Sequence, residues 1–146
     1  MDEGPGASLE AEGYALRERL PTVEEFLALR AAADMAPRSR AGVERGLPNS
    51  LYGVVVEPDG ADAAVGMGRV VGDGGAVFHV TDMAVHPDHQ RRGLGTAIMR
   101  AILDYVDATA PPRAYVNLMA DVGGFYERFG FEETRPASKG MYLRTE

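Results

Sequence analysis

The sequence predicts a mixed α/β domain, a largely antiparallel sheet with helices on both faces, on three observations. Stretches at 51–57, 63–71 and 76–85 have strand character, and the turn signals Pro58-Asp59-Gly60 and Gly72-Asp73-Gly74-Gly75 separate them as in consecutive hairpins. Leu94, Ile98, Ala101, Ile102 and Tyr105 recur at intervals of three and four, the spacing of an amphipathic helix. The 146 residues, 45% hydrophobic and 25% charged, suit one globular domain with one continuous core.

Taken in order, residues 1–12 hold four acids, no bases and two glycines around Pro5, a composition expected of a mobile tail, with a single domain over 13–146. A first strand is expected at 14–19. Thr22 and Glu25 then stand three apart behind Pro21, the spacing of a capping box. Val23, Phe26, Leu27 and Ala31 carry the helix that follows, and a shorter one is expected at 39–45 before Gly46 and Pro48 stop it. Together the two would form a flap. After the hairpins, 76–85 reads as a strand that is mostly apolar yet carries His79, Thr81 and Asp82, and Pro87 ends it. The long helix runs from beyond Gly93 to about Ala108, where Pro111-Pro112 closes it. A strand at 115–119, a short helix at 122–129 ended by Gly130, and a terminal pair of strands at 131–135 and 141–144 complete the expectation.

The net charge of -7 disfavours nucleic acid and anionic membrane surfaces as partners, because like charges repel, and favours cations. Cysteine is absent, which removes disulfides, thiolate metal sites and cysteine nucleophiles together; no metal is expected. No apolar run reaches the roughly 20 residues of a spanning helix, and 1–13 lacks the basic start and apolar centre of a signal peptide. A soluble, cytoplasmic protein is expected, and a homodimer is compatible with the composition.

Chemistry concentrates where Gln90-Arg91-Arg92-Gly93-Leu94-Gly95-Thr96 opens the long helix. First-turn amides lack intrahelical partners and the helix dipole is positive there, so an anionic group is well placed. Gly93 and Gly95 allow close backbone approach, and Arg91 and Arg92 add positive charge. The plainer reading of a bare G-x-G is a helix entry with solvent-facing arginines. Here, however, Asp82-Met83-Ala84-Val85-His86-Pro87 precedes the glycines, and Gly124-Phe125-Tyr126-Glu127-Arg128-Phe129-Gly130-Phe131-Glu132 follows downstream. Two separated motifs in this order resemble the GNAT superfamily of N-acetyltransferases, whose pattern is Gln or Arg, two residues, Gly, any residue, then Gly or Ala after the central strand. The likeness is strong from Ala76 to about Glu133. Pro136 to Met141, with Ala120-Asp121, is similar to small arylalkylamine-type members such as plant serotonin acetyltransferases, outside the motif that carries chemistry.

The resemblance implies a sheet splayed at its centre and a site for acetyl-CoA. Its pyrophosphate would lie on the amides of Gln90, Arg91, Arg92, Gly93, Leu94, Gly95 and Thr96, and its pantetheine arm beside Met83, Ala84 and Val85, with Phe125 and Tyr126 against it. An amide near Val85 would polarise the thioester carbonyl, and a bulge near 82–84 would re-aim side chains. Tyr126 matches the family tyrosine that gives a proton to the departing thiolate; beside Phe125 and Phe129 it also suits aromatic packing. The catalytic base is open among Asp82, His79 and, through water, Asp121 or Glu127, with Asp82 placed first. Thr81 stands where relatives often carry Glu, and Ala120 where many carry a cofactor-binding Asn. The expected activity is direct acetyl transfer to a primary amine, most simply a small molecule. A protein N-terminus or lysine, or a non-catalytic acyl-CoA sensor, are the alternatives.

Overall fold

The computed structural model describes residues 12–146, so all of the expected tail but Glu12 lies outside the described residues. Five strands, β1 (Tyr14–Arg17), β2 (Tyr52–Pro58), β3 (Gly66–Gly72), β4 (Val77–Val85) and β5 (Tyr115–Asn117), form one sheet in the order β1-β2-β3-β4-β5. The first three pairings are antiparallel. β5 pairs parallel to β4 after the crossover helix α3 (Leu94–Thr109), through Val77, Phe78 and His79 of β4 alone. Beyond His79 the two strands part, which is the expected splay, and the rest of β4 has a free edge on that side.

Each face of the sheet has its own core. Period-two alternation sends Val54, Val56, Val70, Phe78 and Val80 to one side, where Leu94, Ile98, Met99 and Ile102 of α3 cover them. Val55, Met67 and Ala84 face the other side and are covered by Phe26 and Leu29 of α1 (Val23–Ala32), Val43 of α2 (Arg40–Gly46) and Leu47. Each fully buried aliphatic or aromatic side chain here contributes about 1.5–3 kcal/mol. α3 lies close on the sheet because β3 is bare beneath it: a Cβ at Gly68 would stand 2.7 Å from Ile98 Cγ2 and 2.8 Å from Met83 Sδ.

The capping box forms as expected. Thr22 Oγ1 accepts from the Glu25 amide at 3.1 Å and Glu25 Oε1 accepts from the Thr22 amide at 2.8 Å. The same carboxylate accepts from both terminal nitrogens of Arg19, at 2.9 and 3.0 Å, and from the Ala64 amide at 2.6 Å, so it pins α1 to the sheet. Burial pushes its pKa up, but the Arg19 bonds and the two amides outweigh burial and hold it at about 2, below the ordinary 4.5. A depressed carboxylate stabilises fully above its unfolded value and loses that contribution as pH falls toward the folded one. Glu25→Gln is therefore expected to cost about 2 kcal/mol at neutral pH and to flatten the loss of stability between about pH 5 and pH 2. Urea unfolding at neutral and acidic pH checks this, and an unchanged acid slope would refute it.

Three expectations are corrected toward the C-terminus. The strand expected at 115–119 is only Tyr115–Asn117, because the ladder to β4 ends there. The helix expected at 122–129 contracts to a 3-10 turn, Tyr126–Phe129, since Gly123 and Gly124 are poor helix formers. The strand pair at 131–135 and 141–144 does not form: a turn in which the Ser138 amide donates to Thr134 O interrupts the segment, and Met141, Tyr142 and Leu143 are more than four-fifths exposed. Alternation makes a strand only where its backbone groups find a ladder. Among the described residues no helix is long and apolar enough to cross a membrane.

Candidate active site

Gly93 is the N-cap of α3 with φ of +81°, and Arg91 before it is also left-handed at +65°. These two turns fold the chain tightly over the start of the helix, where the first-turn amides are unpaired by helix geometry. Gln90 ties the loop to the sheet by donating from Nε2 to the Val85 carbonyl at 3.2 Å. Arg92 Nη1 donates to Tyr14 Oη at 3.0 Å, and Tyr14 Oη lies 2.7 Å from His89 Nδ1. With one bond received from Arg92, the tyrosine hydrogen is placed to go to His89, so Arg92 is tethered to β1 while Arg91 is exposed.

The expected bulge sits in β4. Met67 pairs with Ala84 and Arg69 with Thr81, so three steps of β4 oppose two of β3, and Asp82 takes φ of +59°. The extra residue resets the alternation: Phe78 and Val80 face α3 before it, Met83 and Val85 after it. As a result Thr81 and Asp82, neighbours in sequence, both turn away from α3, and both line one cavity. The His86 amide donates to Val65 O on the β3 side, so alternation turns the Val85 N–H to the free edge toward β5.

That cavity, of about 500 Å³, lies where β4 and β5 part. Its walls are the segment after α1, through Arg38, the β4 residues His79 to Met83, the 118–121 connection, Tyr126 and Arg144. Tyr126 is 8% exposed, and burial first and the Asp121 charge second raise its phenol above the ordinary 10. Phe125 stacks edge-on against Tyr126 and lies beside Gly95, where an added Cβ would be 3.6 Å from its ring. The glycine turn and the tyrosine are thereby joined through one aromatic ring. His79 Nδ1 meets Asn117 Oδ1 at 2.6 Å across the β4–β5 pair, which holds this histidine at the root of the splay.

Asp82 is not an open carboxylate. Arg30 Nη1 bonds Oδ1 at 2.7 Å and Arg69 Nε bonds Oδ2 at 2.6 Å, with the Asp82 side chain only 4% exposed. Arg30 also donates to the Ala36 carbonyl, and both guanidinium groups lie over the Phe26 ring. Asp82, placed first as base on sequence grounds, has both carboxylate oxygens engaged in a clamp between α1 and the sheet. Sequence reasoning missed Arg30, Arg38 and Arg69. The available signal was Arg30 itself, a cation on the Phe26 face of an otherwise apolar helix stripe.

Residues 49–133 match the family model described as "Acetyltransferase (GNAT) domain". The chain belongs to the GNAT family. The GNAT fold here superposes on a probable acetyltransferase from meticillin-resistant Staphylococcus aureus with a TM-score of 0.85 and 40% identity, covering 90% of this chain and 99% of that one. A GNAT family acetyltransferase from Brucella melitensis, solved in complex with acetyl-CoA, shares the fold at a TM-score of 0.61 and 22% identity over 82% of each chain. An uncharacterized N-acetyltransferase of Porphyra purpurea is 26% identical over 92 residues, 63% of this chain and 53% of that protein. This GNAT chain spans about half the length of that curated relative.

Proposed function

We propose that this protein transfers an acetyl group directly from acetyl-CoA to the primary amine of a small molecule. The observation that carries the reading is the single continuous arrangement of glycine turn, Phe125 and Tyr126 at the parting of β4 and β5. The residues present fit acetyl-CoA: the loop from Gln90 to Thr96 offers the first-turn amides of α3 for its phosphates, the Gln90 amide itself being taken by the Pro87 carbonyl, and Met83, Ala84 and Val85 offer a free strand edge for its arm. Bound there, the donor supplies an activated acetyl group. The Val85 N–H points to the side where a thioester oxygen would be polarised. Tyr126, a neutral phenol whose pKa burial raises further, holds a proton at Oη for the departing sulfur.

The incoming ammonium must lose a proton before its lone pair can attack. With Asp82 engaged by two arginines, we assign that proton to water relayed to Asp121, an exposed carboxylate in the cavity wall without an ion-pair partner among the described residues and near enough to Tyr126 to raise its phenol. Direct transfer needs no enzyme-bound acyl group, and the chain has neither a cysteine nor a G-x-S-x-G motif to carry one. A cavity of about 500 Å³ is of small-molecule size, which favours a free amine over a protein terminus. The cytoplasm, where acetyl-CoA is available, is the compartment this reading calls for.

The test is CoA release with acetyl-CoA over a panel of free amines and amino-terminal peptides, alongside calorimetric binding of acetyl-CoA. Turnover of a free amine above that of every peptide is expected; binding without turnover of any acceptor would refute the enzyme reading. Gly93→Val should lower acetyl-CoA affinity by about tenfold or more, because a β-branched residue resists the left-handed backbone that aims the loop amides. An added Cβ at Gly93 meets nothing within 4 Å, so the fold should survive. Unchanged affinity in the folded variant would remove the loop from the site.

A further inference from the structure

A second cavity, of about 180 Å³, adjoins the first through a shared residue, Arg38. It is lined by Phe26, Ser39, Gly42, Val43, Gly46 and Leu47 together with Arg38 and Arg69, so its charged lining is wholly cationic. Arg38 donates only to the neighbouring Pro37 carbonyl, at 3.4 Å, and has no acidic partner within ion-pair distance among the described residues. Arg69 has one, Asp82, but that carboxylate is shared with Arg30, and the trio keeps one excess positive charge at the boundary of the two cavities. A buried excess charge is costly unless a counter-charge reaches it. Among the described residues no acidic side chain lines this cavity. In the larger cavity the acids Asp34 and Asp121 are unpaired among the described residues, so the joined space is cationic at one end and offers carboxylates elsewhere.

We propose that the acceptor amine also carries an anionic group, a carboxylate or a phosphate, and that Arg38 and Arg69 hold this group in the smaller cavity while the amine lies in the larger one. The proposal rests on the acetyltransferase reading of the larger cavity and adds the class of acceptor. Guanidinium groups suit the task because their planar donors match both oxyanions bidentately. Arg38, exposed on the segment between α1 and α2, is the adjustable partner; Arg69, held by Asp82 and by Ser50 Oγ at 3.0 Å, is the fixed one. The acidic surface that draws cations at long range and this local pair of arginines together select a molecule bearing both signs of charge.

The experiment has two arms. In the first, CoA release is measured for matched acceptors: an amino acid against its methyl ester, and an amino sugar against its phosphate ester. The anionic member of at least one pair is expected to have a kcat/KM about tenfold or more higher, and which pair responds separates carboxylate from phosphate. Arg38→Ala should abolish that preference through KM, and Arg38→Lys should restore part of it. Equal turnover of charged and uncharged partners by the parent, or an equal loss for both in Arg38→Ala, would overturn the proposal. The second arm does not depend on turnover: binding of inorganic phosphate and of acetate is measured by calorimetry with CoA present in excess. Binding of one of them that Arg38→Ala removes is expected, and no difference between parent and Arg38→Ala would overturn the proposal. A chain that releases no CoA with any amine yet loses anion binding in Arg38→Ala would instead refute the acetyltransferase reading alone.

Discussion

Tyr126→Phe is expected to lower kcat by about a hundredfold or more while leaving acetyl-CoA affinity and the unfolding midpoint unchanged. The ring is held by packing that phenylalanine repeats, with Phe125 at 5.1 Å and Phe131 at 6.4 Å between centroids, both edge-on. What disappears is Oη, and with it the proton kept beside the departing sulfur. The pH profile gives an independent check. Burial, then the nearby Asp121, raises the phenol, so in the parent the alkaline fall in kcat assigned to this group should lie above about pH 10 and should vanish in the variant. A variant with the parent's rate and profile would make Tyr126 a core aromatic and leave the thiolate to take its proton from water.

Asp82→Asn should destabilise the protein by about 3–5 kcal/mol, the cost of leaving buried charge without its partner. Arg30 is 4% exposed and loses its one carboxylate partner among the described residues in this variant, while Arg69 loses the bond that fixes its Nε. Asparagine keeps the size of the side chain and tolerates the left-handed φ of +59°, so the change isolates the charge. Urea unfolding with added salt is the measurement: the loss should persist at high ionic strength, because a buried pair is poorly screened. A variant with the parent's midpoint would free this carboxylate for the base role that the sequence first suggested.

Local signals carried most of the fold. The hairpin turns, the capping box at Thr22 and Glu25, and the stripe from Leu94 to Tyr105 each depend on residues near one another in the chain, and each appears in place. What escaped depends on distant partners. Residues 131–135 and 141–144 have strand-like composition, yet nothing in a sequence says whether a ladder is available to them. Asp82 was legible as a polar residue on a central strand, but its two arginines lie 52 and 13 positions away. The same distance hid Arg38 and Arg69, which meet only when α1, α2 and β3 are assembled. The glycine turn was visible because its chemistry resides in consecutive amides.

The bulge at Asp82 gives β4 two phases. Upstream of it even-numbered residues lie under α3, downstream odd-numbered ones do. A strand of uniform phase would turn either Thr81 or Asp82 toward the helix. Closing the bulge with every residue kept would exchange the two downstream sets, swinging Met83 and Val85 to the α1 side and Ala84 beneath α3. Straightening the strand would therefore exchange the lining of two layers at once, whereas deleting the extra residue would leave Met83, Ala84 and Val85 on their own faces. The strand can accept a new floor for its cavity by substitution, but as long as it carries the extra residue its kink is fixed by the seat of the helix on its other side.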